Sequence, residues 1–394
     1  MDEQTKRGLD LLQRMKFKDA SAEFEQVLQR NPNDRDALAA IVNIARKLGP
    51  PETLEKALTK LVELTPNNIQ LRVQHIIMHA TSHNFEFARA QLNIMMRLIE
   101  VQKPDTKAIH QILLAINMAS QGTQRTSLLL RLRRHLANLV NEAKDNAAPL
   151  RLIIGFINIS LKDYDQFLIT AASINQNELA NPLNRRLNNL VLRLESPAFP
   201  DFNQPKVFGI GLSRTGTTSL YHALERLGYN SLHWINHDTA DLISQPDFFL
   251  YDSFTDTPVS HQFEWLYHTF PNSKFILTTR DFNSWHKSIA RHYALKRNIS
   301  GASKLATSSS RHMYQGRVNL IEQNLYAQHD TWKGAFDAFN QRVEHFFKDK
   351  PKDRLLTLNI PGGDGWSVLC RYLDKPVPGE DFPTSNKAII PDPA

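Results

Sequence analysis

The chain has 394 residues and a mass of 45.1 kDa, enough for roughly two to three domains of ordinary size. Hydrophobic residues make up 41% and charged residues 22%, which excludes a disordered protein, and the single cysteine, Cys370, excludes a disulfide framework and suits a reducing compartment. The net charge of +7 is spread over many predicted helices instead of one basic element, so we expect no nucleic-acid partner.

The N-terminal residues and the longest apolar stretch both bear on membrane association. The opening MDEQTKRGLDLL lacks the basic and then apolar layout of a signal peptide. The apolar stretch from Leu152 to Leu161 is interrupted by Gly155, Asn158 and Ser160, and it is shorter than the ~20 residues that cross a bilayer. We therefore expect a cytoplasmic protein without a membrane span.

Residues 3–102 contain a repeat. Pro32 and Pro66 stand 34 residues apart, each beside an asparagine and each at the end of an apolar-periodic helix. Three sets of apolar positions recur at the same period: Ala20, Leu54 and Ala88; Phe24, Leu58 and Leu92; Val27, Leu61 and Met95. The pattern resembles the tetratricopeptide repeat (TPR), a pair of antiparallel helices with a small residue at their crossing and a proline at the exit.

Residues 106–195 continue as predicted helices without a clear period. Two interpretations of the whole helical half stay open. It is either a packed stack with no ligand of its own or a concave surface for a protein partner, a second copy of the chain or the acceptor molecule.

The composition changes near residue 200. Only four of the 15 glycines precede that position, and all five tryptophans follow it. A Leu-rich half followed by a Gly-rich half with apolar runs predicts a helical domain joined to an α/β domain with a mostly parallel sheet. The three prolines of the segment 196–205 cannot continue a helix. We therefore predict a TPR-like domain at 1–195, a linker at 196–205 and a P-loop α/β domain at 206–394.

The segment KVFGIGLSRTGTTSL at 206–220 is the most informative part of the sequence. An apolar strand runs into a glycine-containing turn and then into a helix, an arrangement that presents free N–H groups and a helix dipole to an anion. Gly211 and Gly216 have the G-x-x-x-x-G spacing of a Walker loop, but Thr217 stands where a nucleotidase needs lysine and the cation lies at Arg214. The loop therefore suits one phosphate or phosphosulfate better than a β,γ-phosphate pair with Mg²⁺.

A second cluster lies in KFILTTRDFNSWHKS at 274–288. The apolar run 275–279 predicts a buried strand that Arg280 ends, and Ser288 follows eight residues later in the next helix. An arginine at a strand end and a hydroxyl from the following helix can converge on one phosphate.

Together these segments resemble the sulfotransferases that use 3′-phosphoadenosine 5′-phosphosulfate (PAPS). With GWSVLCRYL at 365–373, which is similar to a bacterial branch of the family, the resemblance covers roughly 205–385. It implies transfer of a sulfuryl group from PAPS to a hydroxyl or amine, release of adenosine 3′,5′-bisphosphate, and no metal. By position it implies contacts of the 5′-phosphosulfate with Arg214, Thr215, Gly216, Thr217 and Thr218, and of the 3′-phosphate with Arg280 and Ser288.

The sequence departs from this family at two positions. Many relatives have lysine where Arg214 stands, and arginine can hold the leaving oxygen but is a worse proton donor. Relatives often have a tryptophan after the Thr-Thr pair that stacks on adenine. Ser219 cannot do so, which leaves Phe282 and Trp285 as candidates for the adenine contact.

Four residues are candidates for the base that takes the acceptor's proton. Asp256 lies two residues before a proline in the loop where relatives with a catalytic histidine place it, and it is the leading candidate. His233 and His237 follow the first α/β unit and are alternatives, whereas Asp252 ends a Walker-B-like strand and suits a structural role. Each of the four could instead hydrogen-bond a turn.

Residues 282–321 contain no acidic residue and seven basic ones. This run is either a solvated face or a basic lid over donor and acceptor, and its position after the 3′-phosphate segment favours the lid.

Two rival functions remain for the chain, a P-loop kinase or NTPase and a TPR binding module with an inactive P-loop domain. The acceptor, whether small molecule, glycan or peptide and whether anionic or not, cannot be read from the sequence.

Overall fold

The computed structural model describes residues 3–48, 51–81, 84–143, 147–297 and 321–384. The chain forms two compact units. The first contains the helices up to Ala143 together with residues 293–297, and the second contains the remaining described helical residues and all the described strands up to residue 384.

The described part of the first unit consists of helices. They are α1 Glu3–Gln13, α2 Phe17–Arg30, α3 Arg35–Leu48, α4 Pro51–Leu64, α5 Ile69–Thr81, α6 Phe85–Val101, α7 Thr106–Ala119 and α8 Gly122–Glu142. Consecutive helices pack in pairs, α1 on α2, α3 on α4 and α5 on α6. Neither these helices nor those of the second unit, as far as they are described, have the length and apolar character needed to span a bilayer.

The positions that recur every 34 residues in the sequence form the core of this first unit. Ala20, Phe24, Leu58 and Leu92 are all buried. Gly8 packs on the Phe24 ring so closely that an added Cβ would lie 2.7 Å from its Cζ, which is why a residue without a side chain stands at this helix crossing. The sequence period therefore predicted buried positions correctly, and the identity of the repeat as a TPR stays a prediction.

The second unit begins with helices and continues with a sheet. Its helices are α9 Ala148–Leu161, α10 Tyr164–Ala172, α11 Asn181–Leu194, α12 Thr217–Arg226, α13 Asp247–Leu250, α14 Phe263–Thr269, α15 Phe282–Arg297, α16 Trp332–Phe347 and α17 Trp366–Leu373. Its strands are β1 Val207–Gly209, β2 Ser231–His233, β3 Ile235–Asn236, β4 Asp241–Leu242, β5 Ser253–Thr255, β6 Lys274–Thr278 and β7 Leu355–Leu358.

The seven strands form one sheet in the order β4-β3-β2-β5-β1-β6-β7. The pairs β2–β5, β5–β1, β1–β6 and β6–β7 are parallel, and only β3 and β4 add antiparallel pairs at one side. The predicted helical region followed by a mostly parallel α/β sheet is therefore confirmed. Because the chain moves from β1 first to one side of the sheet and later to the other, the carboxyl ends of the strands beside β1 border a crevice of the kind in which α/β proteins bind ligands.

The boundary in packing differs from the boundary in composition. Helices α9–α11 belong to the same unit as the sheet, and α11 forms partly buried ion pairs with it. Arg186 Nη1 lies 2.8 Å from Asp238 Oδ1, and Arg193 Nη2 lies 2.5 Å from Asp252 Oδ1. The linker was predicted at 196–205 because the glycine content changes there. The two compact units, however, divide before α9.

Candidate active site

Three loops meet at the carboxyl edge of the sheet. They follow β1, β5 and β6, and β1 pairs in parallel with both of the others. In the register of these pairs Gly209 lies opposite Thr255 on one side and Ile276 on the other. Side chains that follow these three strand ends are therefore brought together, although they are far apart in the sequence.

The loop after β1 folds tightly because two of its positions accept only glycine. A Cβ at Gly211 would lie 1.9 Å from Thr278 Oγ1 and 2.6 Å from the carbonyl oxygen of the same residue. Gly216 has a φ of +112°, a backbone conformation that side chains disfavour. The Thr215 hydroxyl donates to Leu212 O at 2.6 Å and lies 2.6 Å from Thr278 Oγ1, so it stabilises the loop, and the predicted phosphosulfate contact of Thr215 stays a prediction.

Helix α12 begins at Thr217, directly after this loop. The first N–H groups of a helix have no carbonyl partner within it, so they are left to bind an anion. The hydroxyls of Thr217 and Thr218 form hydrogen bonds with other side chains. Thr217 Oγ1 donates to Asp256 Oδ2 at 2.9 Å, and Thr218 Oγ1 lies 3.1 Å from His233 Nε2. These side chains connect the loop to both leading candidates for the base.

Asp256 is held in place by four hydrogen bonds. Its Oδ1 accepts from Ser213 Oγ at 2.5 Å, from the Thr257 backbone N–H at 2.8 Å and from Thr257 Oγ1 at 3.3 Å. Its Oδ2 accepts from Thr217 alone among the hydrogen bonds described, and because each carboxylate oxygen has about two acceptor sites, one site remains on Oδ2. Asp256 has a φ of 69°, a conformation that aspartate and asparagine tolerate better than most residues.

His233 lies beside Asp256, with its Nε2 3.9 Å from Asp256 Oδ2. Its other ring nitrogen, Nδ1, lies 2.8 Å from Thr255 Oγ1. Burial lowers the pKa of His233 below its ordinary value, although the Asp256 carboxylate acts in the opposite direction. The ring is therefore neutral at pH 7, with both nitrogens occupied by threonine hydroxyls.

Two guanidinium groups converge on the other side of the loop. Arg214 Nε donates to Ser288 Oγ at 3.1 Å, and Arg280 Nη1 donates to the Arg214 backbone carbonyl at 3.3 Å. Arg280 Nε also donates to Ser284 Oγ at 2.8 Å. Burial and the nearby Arg214 charge lower the pKa of Arg280, and arginine stays charged nevertheless. Within the described ranges, neither guanidinium forms an ion pair with a carboxylate.

Two other candidate residues have structural contacts. Asp252 precedes β5, at the opposite end of the strand from Asp256, and it accepts hydrogen bonds from Arg193 and the Asn230 backbone N–H, as suits the structural role expected of it. Trp285 was one of two candidates for the adenine contact. Its side chain is completely buried, and its Nε1 donates to the Ser213 carbonyl oxygen at 3.0 Å, which supports the loop.

Three further candidates stay predictions. Phe282 stacks on His286 with ring centroids 5.6 Å apart, and its contact with adenine is untested. His237 follows β3, and burial lowers its pKa. Of the proposed basic lid, Lys304, Arg311 and Arg317 lie outside the described residues.

Several residues of this site were missed by sequence reasoning. Ser213, Thr257, Thr278 and Ser284 contact the predicted residues through hydroxyl groups. The available signal was a high density of serine and threonine within and beside the two segments, at loop positions where hydroxyls commonly bond to nearby groups. No cluster of three or more His, Cys, Asp or Glu side chains suited to a metal ion occurs in the part of the chain that the structure describes.

Comparison with known proteins points to one family. Residues 206–389 match a family model described as a sulfotransferase domain. A protein from Aspergillus versicolor, described as Ava biosynthesis cluster protein M, is 31% identical over 208 aligned positions, which cover 45% of this chain and 79% of that protein. Arg214, Asp256, Arg280 and Ser288 all lie within the matched range.

Proposed function

Since the chain belongs to the sulfotransferase-domain family, we propose that it transfers a sulfuryl group from PAPS to a hydroxyl or amine acceptor. The acceptor oxygen or nitrogen forms a bond to sulfur as the bond between sulfur and the phosphate oxygen breaks. The acceptor loses its proton to a base of the protein. The products are the sulfated acceptor and adenosine 3′,5′-bisphosphate.

The observation that carries this proposal is a pair of guanidinium groups that form no ion pair with a carboxylate among the described residues. Arg280 Nη1 donates to the backbone carbonyl of Arg214, and the Arg214 side chain donates to Ser288 Oγ. Like charges held together in a partly buried site favour a bound anion, because an anion relieves their repulsion. PAPS carries two anionic groups, a 3′-phosphate and a 5′-phosphosulfate, and it therefore matches two cations beside one helix N-terminus.

The loop geometry supports the same donor. The absence of side chains at Gly211 and Gly216 lets the backbone close around an anion at the start of α12. In this assignment the 5′-phosphosulfate binds the N–H groups of the loop and Arg214, and the 3′-phosphate binds Arg280 and Ser288. The Arg214–Ser288 hydrogen bond joins the two subsites, so Ser288 is also placed to orient Arg214.

A kinase or NTPase is a poorer match for this loop. Thr217 occupies the position of the Walker lysine and is buried, with its hydroxyl bonded to Asp256. No ammonium group is therefore provided at the place where a β,γ-phosphate pair needs one.

For the proton acceptor we assign Asp256, through Oδ2. This oxygen faces His233 and accepts one hydrogen bond, whereas both nitrogens of His233 are engaged by Thr218 and Thr255. A neutral imidazole has one donor and one acceptor nitrogen, so no lone pair of His233 is left over. His233 is then a positioning residue beside the carboxylate, and proton acceptance by His233 is the alternative.

Arg280→Ala tests the donor assignment. It is expected to weaken binding of adenosine 3′,5′-bisphosphate by about one to two decades, because a lost charge-assisted hydrogen bond is worth roughly 1.5–3 kcal/mol. Binding of adenosine 5′-monophosphate, which lacks the 3′-phosphate, is expected to change little. Isothermal titration calorimetry of both nucleotides measures this difference.

The matched control is Arg371→Ala, which removes one exposed positive charge from α17 in the same unit. It is expected to leave both affinities unchanged. Equal losses for the two nucleotides in Arg280→Ala would show that Arg280 does not recognise the 3′-phosphate.

A further inference from the structure

Helix α11 contributes an arginine to a cluster of polar side chains near β2. Arg186 Nη1 lies 2.8 Å from Asp238 Oδ1, and its Nη2 lies 2.9 Å from Glu225 Oε1. Its Nε donates to Asn230 Oδ1 at 3.1 Å, so all three nitrogens of the guanidinium have partners. Because the group is largely buried, removal of any one partner would leave a charge or a donor uncompensated, which makes the cluster a firm point of attachment.

Tyr221 connects this cluster to His233. Its hydroxyl interacts with the Glu225 carboxylate and the Arg186 guanidinium, and burial together with Glu225 raises the pKa of Tyr221 to about 12, so the hydroxyl keeps its proton. Its ring stacks on the His233 ring, with centroids 5.6 Å apart and an interplanar angle of 26°. One face of the imidazole is therefore covered by a ring whose polar end interacts with charged groups of α11 and α12.

The state of the His233 ring bears directly on the assigned proton acceptor. Its Nε2 contacts the Thr218 hydroxyl and also lies 3.9 Å from Asp256 Oδ2, and its Nδ1 contacts the Thr255 hydroxyl. A protonated ring would carry a hydrogen on both nitrogens and could donate to Oδ2, which would occupy the oxygen that has to take a proton. A neutral ring held on the two threonines leaves that oxygen open.

Burial has the largest influence on the protonation of His233. It lowers the pKa of the ring, and the positive charge that His222 of α12 can carry acts in the same direction. Asp256, after β5, acts in the opposite direction without outweighing burial. His237, after β3, also faces Tyr221, with ring centroids 6.0 Å apart, and its own pKa is lowered by burial. The cover that Tyr221 gives to the ring is therefore part of what keeps it neutral.

We propose that Tyr221 is a positioning residue that keeps the His233 ring in place and unprotonated beside Asp256. Arg186 acts one step further away, since it holds Tyr221 together with Glu225. This inference rests on the proposed sulfuryl transfer, in which Asp256 takes the proton. Helix α11 precedes the residues matched by the sulfotransferase-domain model, so the match itself does not imply its part in the site.

The test follows the ring nitrogens of His233 by NMR in the full chain labelled with ¹⁵N-histidine. The difference between the wild-type and His233→Gln spectra identifies the resonances. In the wild type we expect one neutral tautomer and a titration midpoint below the ordinary pKa of about 6.5. Tyr221→Leu removes the covering ring and is expected to mix the two tautomers and to raise the midpoint to about 6.5, because water then reaches the imidazole.

Three further variants separate the parts of the network. Tyr221→Phe keeps the ring and removes only the hydroxyl, so a smaller change in the same direction is expected. Arg186→Met removes the attachment on α11 and is expected to change the His233 resonances as well. The matched control is Arg193→Met, on the same helix, because Arg193 also pairs with a carboxylate, that of Asp252 at the opposite end of β5 from the site. It is expected to lower Tm and to leave the His233 resonances unchanged.

The pH dependence of turnover gives a second measurement. Turnover is followed as release of adenosine 3′,5′-bisphosphate from PAPS. Tyr221→Leu is expected to lower it about fourfold at pH 6, where a ring with a pKa of about 6.5 is about three-quarters protonated, and less at pH 8, where the ring is neutral. The affinity for adenosine 3′,5′-bisphosphate is expected to stay unchanged, because Tyr221 is not among the residues assigned to the nucleotide.

The outcomes separate this inference from the proposed function. His233 resonances that respond to Tyr221→Leu and Arg186→Met, in a protein that releases no adenosine 3′,5′-bisphosphate from PAPS, would support the positioning of His233 and contradict sulfuryl transfer. Resonances that stay unchanged in Tyr221→Leu and Tyr221→Phe, or that change equally in Arg193→Met, would overturn the inference. A loss of turnover in Tyr221→Leu that is the same at pH 6 and pH 8 would overturn it as well.

Discussion

Asp256→Asn is expected to lower kcat by about 10²–10⁴-fold, the usual cost of removing a general base. The affinity for adenosine 3′,5′-bisphosphate is expected to change little, for two reasons. Asparagine keeps an oxygen that can accept from Ser213 and from the Thr257 N–H, and the Thr217 hydroxyl can rotate to accept from the new amide. Asparagine also tolerates the φ of 69° at this position. Initial rates at saturating PAPS and a saturating acceptor, with nucleotide titration alongside, measure the separation.

Two variants accompany this experiment. Asp252→Asn makes the same isosteric change before β5, where the carboxylate pairs with Arg193, and is expected to cost stability without lowering kcat. His233→Gln is expected to lower kcat less than Asp256→Asn does. A larger loss in His233→Gln, or near-normal turnover in Asp256→Asn, would transfer the role of proton acceptor to His233.

Arg214→Ala is expected to lower kcat by about 10²–10³-fold, the typical loss when one donor that stabilises developing charge is removed. The negative charge that develops on the leaving phosphate oxygen would lose its nearest cation, and Ser288 would lose its hydrogen-bond donor. The φ of 74° at this position is strained for both arginine and alanine, so the backbone gives little reason for a change in fold. Single-turnover rates with bound PAPS measure the chemical step directly.

Arg214→Lys is the informative companion, because it keeps the charge and changes only its shape. It is expected to retain most of the activity, within about tenfold, since an ammonium can also hold the leaving oxygen and is a better proton donor than guanidinium. An equal loss of activity in Arg214→Lys and Arg214→Ala would show that the site requires the planar, two-pronged hydrogen bonding of guanidinium and not its positive charge alone.

The placement of the proposed phosphate-binding positions at one edge of the sheet could be predicted because its signals are local. Gly211 and Arg214 lie in a turn between an apolar strand and a helix, and Arg280 directly follows another apolar strand. Parallel strands bring such turns to one edge, so a strand pattern with the right residues after it is enough to place them.

The hydrogen bonds that join these positions could not be predicted in the same way. Ser213 and Asp256 are 43 residues apart, and Arg214 and Ser288 are 74 apart, so both contacts depend on strand order and helix packing. Trp285 shows the same limit. It lies within the segment 274–288 and therefore suggested a ligand contact, but its ring packs on Trp332 and Phe336 of α16, which no local pattern reveals.

The division of the chain shows a limit of a different kind. Composition changes at the prolines of 196–205, yet Arg186 of helix α11 forms ion pairs with Glu225 of α12 and with Asp238 between β3 and β4. Ion pairs between distant segments leave no trace in glycine content or in helix periodicity, so composition places the boundary later than packing does.

The proposed function requires the second unit to bind a 3′-phosphorylated, phosphosulfate-bearing nucleotide. The most direct test is a thermal-shift comparison of adenosine 3′,5′-bisphosphate with ATP and Mg²⁺ at equal concentrations, because a ligand that binds only the folded state raises the melting temperature more when its Kd is lower. We expect a clear rise in Tm with adenosine 3′,5′-bisphosphate and little or none with ATP and Mg²⁺. An equal or larger rise with ATP and Mg²⁺, accompanied by ATP turnover, would contradict the assignment and favour a kinase or NTPase.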